Sequence, residues 1–242
     1  MARLQDRTAV ITGASSGIGA AIARAFAAEG ARVVVAARRA ERLATLVDEI
    51  AAAGGVAIAH AADVSREADV EELFRAADEQ LGRVDLLVNS AGIADHTPTD
   101  QLTMARWREV MDTNLTSAFL CCRAAFIRMK AQKRGRIINI GSISAKIPRP
   151  HNLAYASSKF GMEGMTRALA LDGRDHGITV SILHPGATIT ELMPGMGARP
   201  PKDAMKAEEI AAIATLMACL PDETNLIEAL AFPIGQAFLG RG

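Results

Sequence analysis

Tyr155 is the only tyrosine in the 242-residue chain, and Lys159 follows it by four positions in "AYASSKFGME". Residues four apart on a helix share a face, so this spacing makes a phenol and an ammonium neighbours. A free tyrosine has a pKa of about 10, too high for easy proton exchange at neutral pH. A nearby ammonium favours the phenolate, and the pairing predicts a lowered tyrosine pKa. Such a phenol gives a proton to a carbonyl that is being reduced and takes one from an alcohol that is being oxidised. Ser142, in "NIGSIS", follows an apolar run and offers a hydroxyl to hold the substrate oxygen. Asn114 stands inside "VMDTNLTSAFL", where an amide is a poor interior residue for an apolar helix. It is either a solvent-facing side chain or the mark of a helix kink whose freed carbonyl binds a water in a proton relay.

A second group of residues is built for anions. "TGASSGIG", at 12–19, directly follows a short apolar run and opens a helical pattern. Gly13, Gly17 and Gly19 allow a tight turn and close approach of the main chain to a diphosphate, with a helix N-terminus behind it. The loop residues Gly13, Ser15, Ser16, Gly17, Ile18 and Gly19 are therefore candidates for binding a dinucleotide. The spacing is not that of a P-loop, because no Gly-Lys-Ser/Thr follows. An NAD site usually carries an acidic residue at the end of the second strand, about 20 residues on. Here the chain reads "VVVAARRAER", with Ala37 in that place and Arg38 and Arg39 after it. Guanidinium groups suit a 2′-phosphate that a carboxylate would repel, so the expected cofactor is NADP(H).

These groups need a rigid frame, and the rest of the chain supplies its pattern. Half of the residues are hydrophobic and only 4% aromatic, so a sizeable core is filled by aliphatic side chains. Apolar runs such as "TAVITG", "ARVVVAAR", "VAIAHAADV", "VDLLVNSAG", "RIINIGSIS" and "ITVSILHPG" alternate with helical patterns, and "LIEALAF" reads as a seventh strand. Strands that are apolar throughout are buried on both faces, and their alternation with helices predicts a parallel sheet. Long helical segments are expected at about 103–132 and 154–176, and Ser65 is placed to cap the helix that carries Val70, Leu73 and Phe74. Nothing divides residues 1–242, which read as one domain. The Met-, Pro- and Gly-rich stretch within 191–206 is either a surface loop or a mobile lid over a site.

Twenty-seven basic residues balance twenty-seven acidic ones, which argues against a nucleic-acid or anionic-membrane partner. Asp6 and the polar residues after it break any signal-peptide pattern, and no run of 18 apolar residues exists. Three cysteines, Cys121, Cys122 and Cys219, form no C-x-x-C pair and read as reduced thiols of a cytoplasmic protein. The histidines His60, His96, His151, His176 and His184 lack metal-ligand spacing, so no metal is expected. His184, just before Pro185, reads as a packing residue.

Taken together, "TGASSGIG", the "DV" at Asp63 and Val64, "NSAG" from Asn89, then Asn114, Ser142, "YASSK" and "HPGATIT" resemble the short-chain dehydrogenase/reductase family over essentially the whole chain. The resemblance implies a Rossmann-type α/β domain, three-layered, with a seven-stranded parallel sheet between helices. It implies a tetrad of Asn114, Ser142, Tyr155 and Lys159. Asp63 and Val64 would flank the adenine, and Asn89, Ala91 and Gly92 would support the cofactor beside the fourth strand. Lys159 would grip the nicotinamide ribose, with Tyr155 beside it, and Pro185, Gly186, Thr188 and Thr190 would face the carboxamide and phosphates. Ser90 replaces the usual second Asn of the fourth-strand motif. The tail "NLIEALAFPIGQAFLGRG" lacks the pattern typical of acyl-carrier-protein reductases and is more similar to reductases of 3-hydroxy acids and related small carbonyls. The implied activity is hydride transfer between NADP(H) and a carbonyl or secondary alcohol, with a 3-hydroxy acid, 3-oxoacyl compound or related ketone as substrate. The implied assembly is a homotetramer. Two alternatives are a non-enzymatic NADP-binding regulator and a nucleotide-sugar epimerase or dehydratase using the same tetrad.

Overall fold

A computed structural model describes residues 2–191 and 204–236. Most of the 191–206 stretch, 192–203, lies outside the described residues, and with it the expected lid. Among the described residues the chain alternates strands and helices: β1 (Thr8–Thr12), α1 (Gly17–Ala28), β2 (Arg32–Ala37), α2 (Ala40–Ala52), β3 (Val56–Ala61), α3 (Glu67–Leu81) and β4 (Leu86–Asn89). There follow α4 (Met104–Met111), α5 (Ser117–Gln132), β5 (Gly135–Ile140), α6 (Leu153–Gly173), β6 (Ile178–Pro185), α7 (Ala207–Ala218) and β7 (Glu228–Ala231). The strands form one seven-stranded sheet in the order β3-β2-β1-β4-β5-β6-β7, with every pair parallel.

The five inner strands are buried on both faces and their alternate residues feed two cores, whereas the edge strands β3 and β7 are half-buried to exposed. Ala9 and Ile11 of β1, with Val33 and Val35 of β2, pack against Ile22 and Phe26 of α1, Leu43 and Leu46 of α2 and Ile210 of α7. Val10 and Val34 point the other way, to Leu73 and Phe74 of α3 and to Cys121, Cys122 and Met129 of α5. This two-sided burial is what a parallel sheet requires. Burial pushes the Cys121 and Cys122 thiols up, Cys122 to about 12, and both serve as core side chains.

The order of the strands reverses between β1 and β4. The chain leaves β1 for α1 on one face of the sheet and β4 for α5 on the other, and a crevice opens at this switch point. Two local expectations are corrected. Ser65 does not cap α3: its N–H and hydroxyl both donate to the Asp63 carboxylate, at 3.1 and 2.7 Å, and α3 begins only at Glu67. The helical stretch at 103–132 is not one regular helix. Residues Asp112–Thr116 form a π-helical turn between α4 and α5, with Asn114 in its middle.

Candidate active site

The crevice at the strand ends encloses a cavity of about 740 Å³. Its lining contains Gly13, Ser15, Ser16, Gly17, Ile18 and Gly19 from the β1–α1 turn, Arg38 and Arg39 after β2, and Asp63 and Val64 after β3. Ala91 and Gly92 after β4, Ser142 after β5, Tyr155 and Lys159 of α6, and Pro185, Gly186, Thr188 and Thr190 after β6 complete it. Nearly all residues singled out in the sequence thus converge on one volume, which is of the size that ligand sites take.

The glycine turn is fixed by contact on all sides. Gly13 has φ +66°, and a Cβ there would sit 2.6 Å from Ala91 N and Ser90 O. A Cβ on Gly19 would sit 2.5 Å from the Gly13 carbonyl oxygen. The Thr12 hydroxyl accepts from Ser90 N at 3.2 Å and from Ala91 N at 3.4 Å, tying this turn to the end of β4. The first turn of α1 holds no acidic residue, and no side chain caps it, so its N–H groups are left for an anion.

Next to this turn lies a cationic patch. Arg39 donates to the Ser15 and Ser16 hydroxyls at 2.9 and 3.0 Å and pairs with Glu191 at 2.9 Å, and Arg42 also pairs with Glu191. Those two arginines hold the Glu191 carboxyl below its ordinary pKa. Burial acts to raise the Asp63 carboxyl, but hydrogen bonds from Ser65 and the charges of Arg38 and Arg66 outweigh it and lower its pKa. No carboxylate sits at Ala37. The residues present therefore fit a dinucleotide with a phosphorylated adenosine ribose.

At the other end of the cavity the α6 pair is in place. Lys159 is buried and its Nζ donates to the Ile140 carbonyl at 2.8 Å. Nζ lies 5.7 Å from the Tyr155 ring centroid. Burial lowers the Lys159 pKa to about 8. The expected lowering of the tyrosine is not found: burial raises the Tyr155 pKa, and the opposing influence is a hydrogen bond with the Ser142 side chain, not Lys159. Desolvation of a phenolate outweighs an ammonium that is itself desolvated and bonded elsewhere. Ser142 is held by the Ser144 N–H, which donates to its Oγ at 3.1 Å.

Asn114 is fully buried, which excludes the solvent-facing alternative. Its Oδ1 accepts from Ile93 N at 2.7 Å, and its Nδ2 donates to the Ile93 carbonyl at 3.0 Å and to Ser158 Oγ at 3.1 Å. The Ser158 hydroxyl in turn donates to the Tyr155 carbonyl at 2.7 Å. The amide thus connects the π-helical turn, the segment after β4 and the Tyr155 turn of α6. Within the π turn, the Ser117 N–H bonds back to the Asp112 carbonyl, and the Ser117 hydroxyl donates to the Thr113 carbonyl that this register skips.

Asn89 is not on the cavity wall. It is buried, its Nδ2 donates to Asn139 Oδ1 at 2.8 Å, and Asn139 continues to the Thr166 hydroxyl at 2.9 Å. Several contributors carried no signal in the sequence. The main chain of Ile93 and of Ile140 has no residue-type signature. Asp95, whose main-chain carbonyl accepts from Asn152 at 3.1 Å and whose carboxylate takes Arg106 at 2.8 Å, looks like any loop aspartate.

Residues 7–200 match the short chain dehydrogenase family. The chain is 44% identical to 3beta-hydroxysteroid dehydrogenase 1 of Eggerthella lenta over 191 residues, 78% of this chain and 73% of the relative. It is 38% identical to the 3-oxoacyl-[acyl-carrier-protein] reductase of Synechocystis sp. over 201 residues, 83% of this chain and 81% of that protein. Its fold matches the crystal structure of a metagenomic short-chain oxidoreductase in complex with NADP, with a TM-score of 0.85 at 37% identity, over 96% of this chain and 99% of that one. A Rossmann-type sheet, a glycine turn at its switch point and a tyrosine–lysine pair at the crevice agree with these matches, and the chain belongs to the short chain dehydrogenase family of oxidoreductases.

Proposed function

We propose that the protein is an NADP(H)-dependent carbonyl reductase and secondary-alcohol dehydrogenase. The observation that carries this reading is the convergence of Ser142, Tyr155 and Lys159 on one cavity with the glycine turn and an arginine patch. A bound nicotinamide would supply hydride chemistry. Ser15, Ser16, Gly17 and the first turn of α1 would hold the diphosphate, and Arg38, with the charge of Arg39 beside it, the 2′-phosphate. Tyr155 donates the proton to the substrate oxygen in reduction and removes it in oxidation. Ser142 holds that oxygen through its hydroxyl, and Lys159, anchored on Ile140, supplies positive charge beside the phenol. Asn114 keeps the π-helical turn registered on the Tyr155 segment of α6, which supports a role in proton delivery. The substrate class is a ketone on a small or flat carbon frame; the steroid and 3-oxoacyl activities named for the two relatives define the panel to try. The test is NADPH oxidation, followed by absorbance, against 3-oxoacyl thioesters, 3-oxosteroids and small ketones, with NADH in parallel. NADPH binding without turnover across the panel would replace this reading with that of a binding protein.

The protonation states give the pH dependence its sign. Oxidation needs the Tyr155 phenolate, and burial raises that pKa, so the oxidative rate climbs with pH through the neutral and alkaline range. Reduction needs the phenol protonated and Lys159 charged. Lys159 loses its proton as pH rises through about 8, and reduction declines there. Paired pH–rate profiles of kcat/KM in the two directions check this, and parallel profiles would contradict it.

The assembly is proposed on the same footing. Phe119 and Ile127 of α5, and Leu153, Phe160 and Leu171 of α6, are large apolar side chains exposed on neighbouring helices. Association of copies through these helices would cover them, and a closed homotetramer is the form expected. Light scattering at micromolar concentration reads the mass; a monomer removes the claim. Among the described residues no helix is long and apolar enough to cross a membrane.

A further inference from the structure

We propose that His184 is a positioning residue for Ser142, holding its main chain from behind through a ring whose far side faces Glu163 and Glu228. The proposal rests on the reading of Ser142 given above. His184 is completely buried near the end of β6. Its Nδ1 lies 3.2 Å from Ser142 N and 2.8 Å from Ser142 O. The ring packs directly on Gly141, where a Cβ would come within 2.6 Å of Nδ1. A buried imidazole placed against both polar main-chain atoms of one residue, forty-two positions away, is more than filling.

The far side of the ring is equally specific. Nε2 is buried and has no hydrogen-bond partner among the described residues. It faces Glu163 Oε2 of α6 at 3.8 Å and Glu228 Oε1 of β7 at 4.0 Å. Lys146 pairs with Glu163 at 2.6 Å and with Glu228 at 2.7 Å. Arg167 pairs with the same two carboxylates at 2.9 and 2.7 Å. The cluster is thus His184 with two carboxylates and two cations. Lys146 stands four residues after Ser142, and Glu163 stands one helical turn after Lys159 on α6.

A neutral imidazole carries one N–H. With the proton on Nε2, Nδ1 accepts from the Ser142 N–H at 3.2 Å, but its lone pair then meets the Ser142 carbonyl oxygen at 2.8 Å, and the Nε2 N–H has no acceptor at hydrogen-bond distance among the described residues. With the proton on Nδ1, the N–H donates to the Ser142 carbonyl at 2.8 Å, and the Nε2 lone pair faces carboxylates whose charge Lys146 and Arg167 already balance. The shorter contact therefore selects the second tautomer. Burial holds the His184 pKa below its ordinary value, against the Ser142 carbonyl and the pull of Glu163 and Glu228, with Lys146 acting in the same direction as burial. The ring is accordingly neutral at pH 7. Protonation on acidification adds a proton at Nε2, facing Glu163 and Glu228, and turns the Nδ1–H bond to the Ser142 carbonyl into a charge-assisted one. The ring thereby converts the charge of the cluster into the position of Ser142.

Two measurements test this, one independent of turnover. In protein labelled with 15N-serine, the Ser142 amide resonance follows the His184 ring titration, and both midpoints shift to lower pH in Glu228→Gln, which removes one attracting carboxylate. That outcome does not depend on any substrate; a wild type without turnover would sink only the hydride-transfer reading. In turnover, His184→Leu lowers kcat roughly tenfold, the loss expected for one buried hydrogen-bonding group left unpaired, with KM and NADPH binding little changed. His184→Asn retains a polar atom near Nδ1, restores most of kcat and removes the acidic limb of the profile. Should the Leu variant not fold, Glu228→Gln, which leaves the ring in place, decides. A Ser142 resonance indifferent to the ring titration, or a folded His184→Leu variant with wild-type kcat, overturns the proposal.

Discussion

Tyr155→Phe is expected to lower kcat by roughly 10²–10⁴-fold, the usual contribution of a general acid–base group, while NADPH still binds. The substitution keeps the ring, so the α6 packing and the Lys159 anchor on Ile140 are undisturbed. It removes one hydroxyl, its hydrogen bond with Ser142 and the only ionisable proton that Tyr155 can exchange. The loss should therefore appear in kcat and not in cofactor affinity, which fluorescence titration of NADPH reads separately. Because burial keeps the phenol protonated at neutral pH, the reductive direction finds its acid already charged with a proton. The oxidative direction must first ionise it, and the wild type should show the stronger pH dependence there. A variant with near-normal turnover would mean that another group delivers the proton.

The frame of this site was legible because its signals are local. Each apolar run became a strand, and "TGASSGIG" became the turn at the first strand end. The i, i+4 spacing alone predicted that Tyr155 and Lys159 share a face of α6, and both line the cavity. Strand order has no such local signature, and the structure alone supplies it. Electrostatics were misread for a definite reason. Spacing gives the distance between a phenol and an ammonium but says nothing about burial, and burial decided the direction of the Tyr155 shift. Ser65 had the right residue type for a cap, yet the Asp63 carboxylate two residues away takes both of its donors.

Asn114 marks the boundary of what local reading can reach. Its type was wrong for a regular helix, and the π-helical turn explains why it is tolerated: the bonds to Ile93 and Ser158 offset the desolvation of the buried amide. The kink was one of two readings that the sequence left open, and its partners were not visible there. His184 lies beyond that boundary. Nothing near it in the chain distinguishes it from a packing residue, and its contacts come from the turn after β5, from α6 and from β7. Asn89 belongs with it, since only the neighbouring strand shows that its amide is used by Asn139 rather than by the cavity.

The wild type is expected to prefer NADP over NAD by roughly 10–150-fold, the equivalent of one charge-assisted contact worth about 1.5–3 kcal/mol. The arginine patch refines which side chain carries it. Arg39 is committed to Ser15, Ser16 and Glu191, and Arg42 shares that same carboxylate. Arg38 has no hydrogen bond or ion pair among the described residues and lines the cavity beside Ala37, so its guanidinium is the one at liberty to meet a 2′-phosphate. Replacing Ala37 with Asp and Arg38 with Leu removes that attraction and adds a carboxylate that repels the phosphate and can accept from a ribose hydroxyl. The preference should move toward NAD, chiefly through weaker NADP binding. Arg39, already shared with Glu191, should leave the doubly substituted enzyme with only residual selectivity. The ratio of kcat/KM for the two cofactors measures the change directly. A wild type that prefers NAD, or a double variant with an unaltered ratio, would reduce Arg38 and Arg39 to the solvated start of α2.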